Sequence, residues 1–581
     1  MARRPSASTV PSTSSPATDP PLILGPMLRH VDATSASVWV ETRDAADVVV
    51  RSGQDEWSAR TFAAHGHHYA LVEIAGLAPG SVRAYTVDVN GERVWPDGGG
   101  FPPSSIATLD PGRPLRLAFG SCRTSVPHDA GGNRTHGVDS LRAFALHLAA
   151  DPQAPRPDLA LFLGDQVYAD STSSQMQDFI ASRRSLREPP GKELKDFEEY
   201  AHLYRLAWSD PANRWLLSTL PSAMLFDDHD IRDDWNASMS WLRKMRATEW
   251  WQGRIVAGLG TYWVYQHLGN LSPAKRAEDP LWQRIAAHRG PEELDLTGEL
   301  DAFADLADKD PASYRWSYRH DFGDVRLVVV DTRAARCLEP DARGMLDGPE
   351  MEWLDEQLRG GVRHLLIGTS LPFLLPMGLH HLEAWNEALC NGRWGRGPAG
   401  VGEWLRQTFD LEQWAAFQLS FQRVAAMVAE VADGARGPAP ETVTFLSGDL
   451  HYSYVSEVER GGGARILQAV CSPVRNPLPR WLRFFSALMS YGPAAAVGTR
   501  MSVSAKVPDP PFTWHGIKGP WFDNNLAVVE VVPEGLLVTW HTGVVEEGKH
   551  WRPRLKTVAE MVLEAPRPSR SPEDSVPGQR P

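Results

Sequence analysis

Between Leu225-Phe226 and Trp235 the chain reads Asp227-Asp228-His229-Asp230-Ile231-Arg232-Asp233-Asp234, five aspartates and one histidine within eight residues. Carboxylates this close repel one another unless cations sit among them. The fold must therefore bring positive charge to this block, and charge balance alone predicts metal. Three other polar blocks also follow apolar runs: Phe119-Gly120-Ser121-Cys122-Arg123, Leu163-Gly164-Asp165-Gln166-Val167-Tyr168-Ala169-Asp170 and Leu446-Ser447-Gly448-Asp449-Leu450-His451-Tyr452. Open α/β sheets place their sites just past strand ends. Carboxylate, imidazole, thiolate and phenolate combine hard and softer donors, which suits a mixed site of a transition ion and a hard cation. No paired-cysteine spacing of a structural zinc site occurs.

From about residue 114 strands alternate with helices. An apolar strand at 115–119, a helical spacing over 138–150 and the unbroken run Leu159-Ala160-Leu161-Phe162-Leu163 make a βαβ unit. The pattern recurs with a strand at 325–330, a helix at 349–359 and a strand at 364–367. Later strands are predicted at 442–446, 465–470, 526–532 and 536–540, the last two joined by Pro533-Glu534-Gly535. The fold class is α/β with an antiparallel portion. Two stretches, 171–312 and 374–440, lack strand patterning and read as helical insertions rich in Trp and Arg; each Trp there reads as packing or as a wall of a substrate cleft.

Residues 21–108 alternate in short runs, as in Ser37-Val38-Trp39-Val40-Glu41-Thr42, and read as a small β-sandwich. Within it Leu77-Ala78-Pro79-Gly80-Ser81-Val82-Arg83-Ala84-Tyr85 resembles the turn and tyrosine corner of fibronectin type III domains. Residues 1–20 and about 565–581 are rich in Pro and Ser and are expected to be disordered tails.

A net charge of −13 argues against general binding of polyanions and leaves nucleic acid a role only as a locally held substrate. Cysteines at 122, 337, 390 and 471 are too few and scattered for a disulfide framework, and fit either a reducing compartment or individual chemistry. The most apolar stretch, 365–379, is shorter than the roughly 20 residues a bilayer requires and contains prolines. No membrane span is expected. Arg3-Arg4 is followed by Pro, Ser and Thr rather than an apolar segment, so a cytoplasmic location is expected, with export open if residues precede Met1.

The blocks Gly120-Ser121-Cys122, Gly164-Asp165-Gln166-Val167-Tyr168-Ala169-Asp170, Asp227-Asp228-His229-Asp230, Val329-Val330-Asp331-Thr332-Arg333, Glu352-Trp353-Leu354 with Leu358, and Ser447-Gly448-Asp449-Leu450-His451 resemble, in order and joint presence, the PhoD-like (alkaline phosphatase D) family of the metallophosphoesterase superfamily. The resemblance covers about residues 22–545. It implies a double β-sheet flanked by helices, here over 112–545, behind an N-terminal fibronectin III or immunoglobulin-like β-sandwich. It implies metal-dependent hydrolysis of phosphomonoesters or phosphodiesters by a metal-activated water. Cys122, Asp165 and Tyr168 would hold a ferric iron and Asp165 would bridge to calcium, or to another divalent metal. Asp228, Asp449 and His451 would complete the site.

The expected roles are then metal ligation by Cys122, Asp165, Tyr168, Asp228, Asp233 and Asp449, catalysis by His229, His451 and Arg123, and substrate binding by Arg123 and Arg333. Asp331 and Arg333 read either as a structural ion pair or as phosphate-facing. Relatives often carry Asn where Asp233 and Asp234 stand, and a neutral residue where Arg123 stands. The substrate would be a small or polymeric phosphoester, with no obligatory nucleic acid. The alternative is a non-catalytic, metal-containing protein that binds a phosphorylated or carbohydrate polymer.

Overall fold

The computed structural model describes residues 19–339, 342–479, 483 and 492–565. The tails expected at 1–20 and 565–581 lie almost wholly outside these residues.

Two sheets pack face to face. The first runs Ser222–Leu225, Leu159–Leu163, Arg116–Gly120, Leu526–Val532, Gly535–Val544 and Arg554–Glu564. Its first three strands are parallel and the rest antiparallel. The second runs Tyr318–Phe322, Val325–Val330, His364–Thr369, Thr442–Ser447, Arg465–Val470, Ser453–Val458 and Trp514–Trp521, with a parallel centre from Val325–Val330 to Arg465–Val470. Leu117, Phe119, Leu161 and Leu163 of one sheet meet Leu327, Val329, Leu366 and Leu446 of the other in one fully buried core. Strands covered on both faces must be apolar at every position, which is why these runs do not alternate.

The strand Ser222–Leu225 lies inside the stretch expected to be an insertion without strands. Four residues between two helices are too short to show a period of two. The strand Arg554–Glu564 likewise extends the sheet beyond the expected end at 545. Opposite the consecutive Trp540 and His541 its pairing skips from Ala559 to Thr557, so Val558 is an extra residue that breaks the alternation along this strand. The stretch 374–440 is helical, with Met377–Cys390, Arg396–Thr408 and Gln418–Ala432. Trp241, Trp251, Trp263 and Trp414 are buried packing, whereas Trp394 and Trp404 are exposed. No described helix is long and apolar enough to cross a membrane.

Residues 22–107 form the expected all-β region around Val38, Val40, Val50, Val72 and Val87. Tyr85 is buried as a corner tyrosine would be, but its hydroxyl donates to the Ser218 carbonyl at 2.7 Å, across the junction with the helical stretch. The junction is extensive. Leu24, Met27, Trp39, Phe62 and Leu71 belong to the same apolar cluster as the helices, and Leu294–Asp295 adds a short parallel strand beside Phe62. Arg29 is fully buried and donates to the carbonyls of Tyr265 (2.9 Å) and Gln266 (2.6 Å) and to Asn270 Oδ1 (3.0 Å). Three histidines reinforce the seam: His65 meets Asp301, His68 meets Glu293, and His67 bridges Glu41 and Glu198, both at 2.9 Å.

Two outcomes follow. Arg29→Met removes the donor to two buried carbonyls and leaves Asn270 Oδ1 with only the Met224 N–H, so unfolding free energy is expected to fall by about 3 kcal/mol in denaturant titration. Burial alone would lower the His67 pKa, but Glu198 and Glu41 raise it to about 9 from 6.5. A raised folded pKa gives stability that is complete below the unfolded value of 6.5 and lost as pH rises through about 9. The melting-temperature advantage of the native chain over His67→Gln should shrink across that window; a gap independent of pH would contradict the clasp.

Candidate metal centre

All four polar blocks converge at the C-terminal ends of the parallel strands. The convergence is tight enough to need glycine at two points. A Cβ on Gly164, whose φ is +99°, would lie 2.6 Å from the Asp227 Cβ, and one on Gly448 would lie 2.0 Å from Ser121 Oγ. Each Gly-Asp pair thus marks where one loop passes against another. Backbone bonds tie the loops: Cys122 N–H to Gly164 O at 3.2 Å, Arg123 N–H to Asp165 O at 3.0 Å, and Asp449 N–H to Ser121 Oγ at 3.1 Å. Cys122, Asp165, Asp449 and His451 all hold left-handed backbone, with φ of 57°, 52°, 64° and 56°. Such conformations cost about 1–3 kcal/mol each in non-glycine residues and cluster at functional sites.

The side chains form three overlapping groups, each with ligand atoms within 4.8 Å of one another: Cys122, Asp165 and His451; Asp165, Asp228 and His229; and Asp227, Asp228 and Asp449. Asp165 belongs to the first two groups and Asp228 to the last two. The Tyr168 hydroxyl donates to Asp165 Oδ2 at 3.1 Å, which sets the phenol beside the shared carboxylate. Cys122 Sγ lies 3.2 Å from Ser121 Oγ and 3.4 Å from Ser472 Oγ.

The electrostatics fit a missing positive charge. Asp165 Oδ1 and Asp227 Oδ2 are buried without a hydrogen-bond partner. Burial first, and then Asp165 and Asp449, push the Cys122 thiol well up, so a thiolate there requires a cation. Burial, with Asp228 and Asp227 and against His229, likewise holds the Asp165 carboxyl far above the usual range. Asp227 is pushed up to about 6 by burial despite Arg333. Burial keeps His451 down at about 4, leaving a neutral imidazole fit for ligation. A donor set of one thiol, two imidazoles and four carboxylates, two of which keep an unpaired oxygen, fits metal ions.

Other residues of the blocks are scaffolding. Asp230 accepts the backbone N–H of both Asp165 and Asp227 at 2.9 Å and so fixes two ligand-bearing turns. Asp170 accepts the Nδ1–H of His229 at 2.9 Å; burial opposes its charge, but His229 holds it down at about 2. The imidazole is thereby oriented with Nε2 free. Neither aspartate's role was visible in the sequence, because it depends on where backbone N–H groups point. Ser472, Asn236 and Gln413 were also missed. Asn236 Nδ2 donates to the Arg333 carbonyl at 3.2 Å, and Gln413 Nε2 donates to Asp449 Oδ2 at 2.6 Å.

Three expectations are corrected. Arg123 is not a free phosphate clamp: its buried guanidinium donates to Asp139 Oδ2 at 3.0 and 2.8 Å and to the Ala207 carbonyl at 2.8 Å. Arg333 is fully buried between Asp227, Asp228 and Glu412 rather than open to substrate. Its partner is not Asp331, whose carboxylate instead accepts the backbone N–H groups of Arg333, Ala334 and Ala335. The Asp233 side chain is 60% exposed and stands outside the three groups, 3.9 Å from His229 Nε2.

The family model described as PhoD-like phosphatase matches residues 140–478, more than half of the chain, and one described as a domain of unknown function, DUF7800, matches 19–106. No curated protein matches in sequence. A solved structure of PhoD aligns over 96% of this chain and 92% of its own, with 15% identity and a TM-score of 0.56, a likeness of fold. GAP50, the anchor in the inner membrane complex of Plasmodium, aligns over 78% and 90% with 9% identity, and its TM-score of 0.30 is too low to carry an argument.

Carboxylates that orient metal-ligating histidines typically contribute about 10–100-fold in metal affinity. Asp170→Asn is therefore expected to weaken metal retention by about that factor in competition with a chelator, and Asp233→Asn by less than about threefold. Equal losses would place Asp233 among the ligands.

Proposed function

Because the chain belongs to the PhoD-like phosphatase family, we propose that it hydrolyses phosphoesters, phosphodiesters or phosphomonoesters, at the three overlapping ligand groups. The observation that carries this reading is the sharing of Asp165 and Asp228 between adjacent groups. Shared carboxylates hold cations side by side, the arrangement that grips both the attacking and the leaving oxygen of an in-line displacement.

Cys122, His451 and Asp165, with Tyr168 beside them, would hold a transition ion, for which ferric iron suits the thiolate and phenolate donors. Asp227, Asp228 and Asp449 offer only oxygen and would hold a hard cation such as calcium. Bound metals would lower the pKa of water and withdraw charge from the phosphoryl oxygens. The chain's own groups do the rest. Asp170 keeps His229 aimed through Nε2 at the group it shares with Asp165 and Asp228, and as the water oxygen bonds to phosphorus and the ester P–O bond breaks, the departing alcohol oxygen takes a proton from solvent. Arg333 stays behind Asp227 and Asp228, holding their carboxylates in place and limiting their mutual repulsion. No covalent bond to the protein forms in this scheme.

Cys122→Ala removes a ligand that neither a methyl group nor water replaces. Metal analysis should show loss of the iron, and turnover of a chromogenic phosphodiester should fall by at least about a hundredfold, the scale of a lost electrostatic contribution to the transition state. Full metal content with unchanged turnover would refute the assignment. Intact metal content with no turnover of any phosphoester in the native protein would favour a binding role instead.

A further inference from the structure

Away from the metal centre, a cavity of about 780 Å³ opens at the edge of the seven-stranded sheet, between the segment 311–319 and the helix Gly348–Gln357. Two of its lining residues carry buried polar atoms without a partner, although the Glu350 carboxyl also bonds the Ser317 hydroxyl. His267 is wholly buried and neither ring nitrogen has a partner; Glu350 is 4% exposed and its Oε1 has none. Such groups are rare in a folded chain and point to a ligand or a bound water. The His267 ring is walled by Trp316 and Tyr314, with centroids 5.0 and 5.5 Å away. Neither residue takes part in the proposed hydrolysis.

At the rim, Arg315 is exposed and its guanidinium lies 5.2 Å from the Trp353 ring centroid. It has no carboxylate partner among the described residues. Of the other acidic lining residues, Asp279 accepts from Trp263 Nε1 and the Tyr314 hydroxyl, Asp321 pairs with Arg319 and Arg326, Asp347 caps the helix through Glu350 N–H, Glu278 pairs with Lys275, and Glu356 is exposed at the rim. An arginine held over an indole and without a carboxylate partner keeps N–H donors open, a ready site for a planar anion.

These observations call for three things in one ligand: an anionic end, a ring and a polar far end. An inorganic anion would leave the aromatic wall and the buried polar groups unused, and an uncharged ring would leave Arg315 unused. We propose that this cavity binds a small aromatic carboxylate with a hydroxyl at its far end, the carboxylate on Arg315, the ring among Trp353 and Tyr314, and the hydroxyl exchanging hydrogen bonds with His267 and Glu350. Burial, with the charges of Arg29 and Arg315, holds His267 down at about 3, so it offers one donor and one acceptor, which a single hydroxyl can satisfy. The volume falls in the range of small-molecule sites. The Ser317 hydroxyl in the cavity wall accepts the Asp331 N–H at 2.8 Å, so the site adjoins the loop that carries Arg333.

The test is calorimetric titration of the full chain with 4-hydroxybenzoate. One-to-one binding with a Kd of about 1 mM or tighter is expected, about tenfold weaker for Arg315→Met and severalfold weaker for benzoate, which lacks the hydroxyl. Trp353→Leu, a second rim change, is expected to weaken binding by about threefold or more. Equal affinity in native protein and Arg315→Met, or no heat at about 10 mM ligand, would overturn the site. Inorganic phosphate binding as tightly as 4-hydroxybenzoate, and as sensitive to Arg315→Met, would overturn the aromatic requirement.

Discussion

Buried negative charge that the protein does not neutralise governs this structure. Asp165, Asp227, Asp228, Asp230 and Asp234 are all nearly inaccessible, and Arg333 is the cation set directly among them. Ionised carboxylates in such a place are costly unless paired, and unpaired ones respond by holding their protons. Asp230 is pushed up to about 7 and Asp234 to about 9, in both cases chiefly by burial. Bound cations would relieve this concentration of buried charge, which supports the metal reading independently of any likeness to a family.

The fold concentrates that charge by a simple device. Two sheets share one apolar core, and their parallel strands end on the same side, so loops from both sheets meet over the end of the sandwich. Close approach requires Gly164 and Gly448, and the turns that follow them force Asp165 and Asp449 into left-handed backbone. Asp230 and Asp170 then secure the loops of Asp165 and Asp227 by accepting N–H bonds from their turns and from His229. The N-terminal β region braces the same assembly from outside through Arg29, Tyr85 and the histidine clasp, so its packing supports the helices that back the centre without supplying a ligand to any of the three groups.

Much of this was legible in the sequence, because apolar runs ending in Cys, Asp or His state both the strand and the site. Cys122, Asp165, Asp228, His229, Asp449 and His451 come together as donors, as their positions suggested. Legibility failed where function depends on direction rather than on position. Arg123 and Arg333 look alike as candidate phosphate ligands, but both guanidiniums are consumed by carboxylates inside the fold. Asp233 and Asp230 sit three residues apart in one acidic run, and only the helical turn at Asp228–Ile231 decides that one faces solvent and the other the backbone of two loops. The strand Ser222–Leu225 was hidden by its brevity, and the terminal strand by the extra residue, Val558, that shifts its register.

The central claim is that cations occupy the three overlapping groups. Anomalous scattering from crystals grown with the metals the protein retains on purification tests it most directly. The expected result is adjacent peaks at about 2.0–2.6 Å from the donors, one between Cys122, Asp165 and His451 and another among Asp228 and its neighbours. Peaks confined to other parts of the chain, or a fully active enzyme with no metal at these residues, would contradict the account.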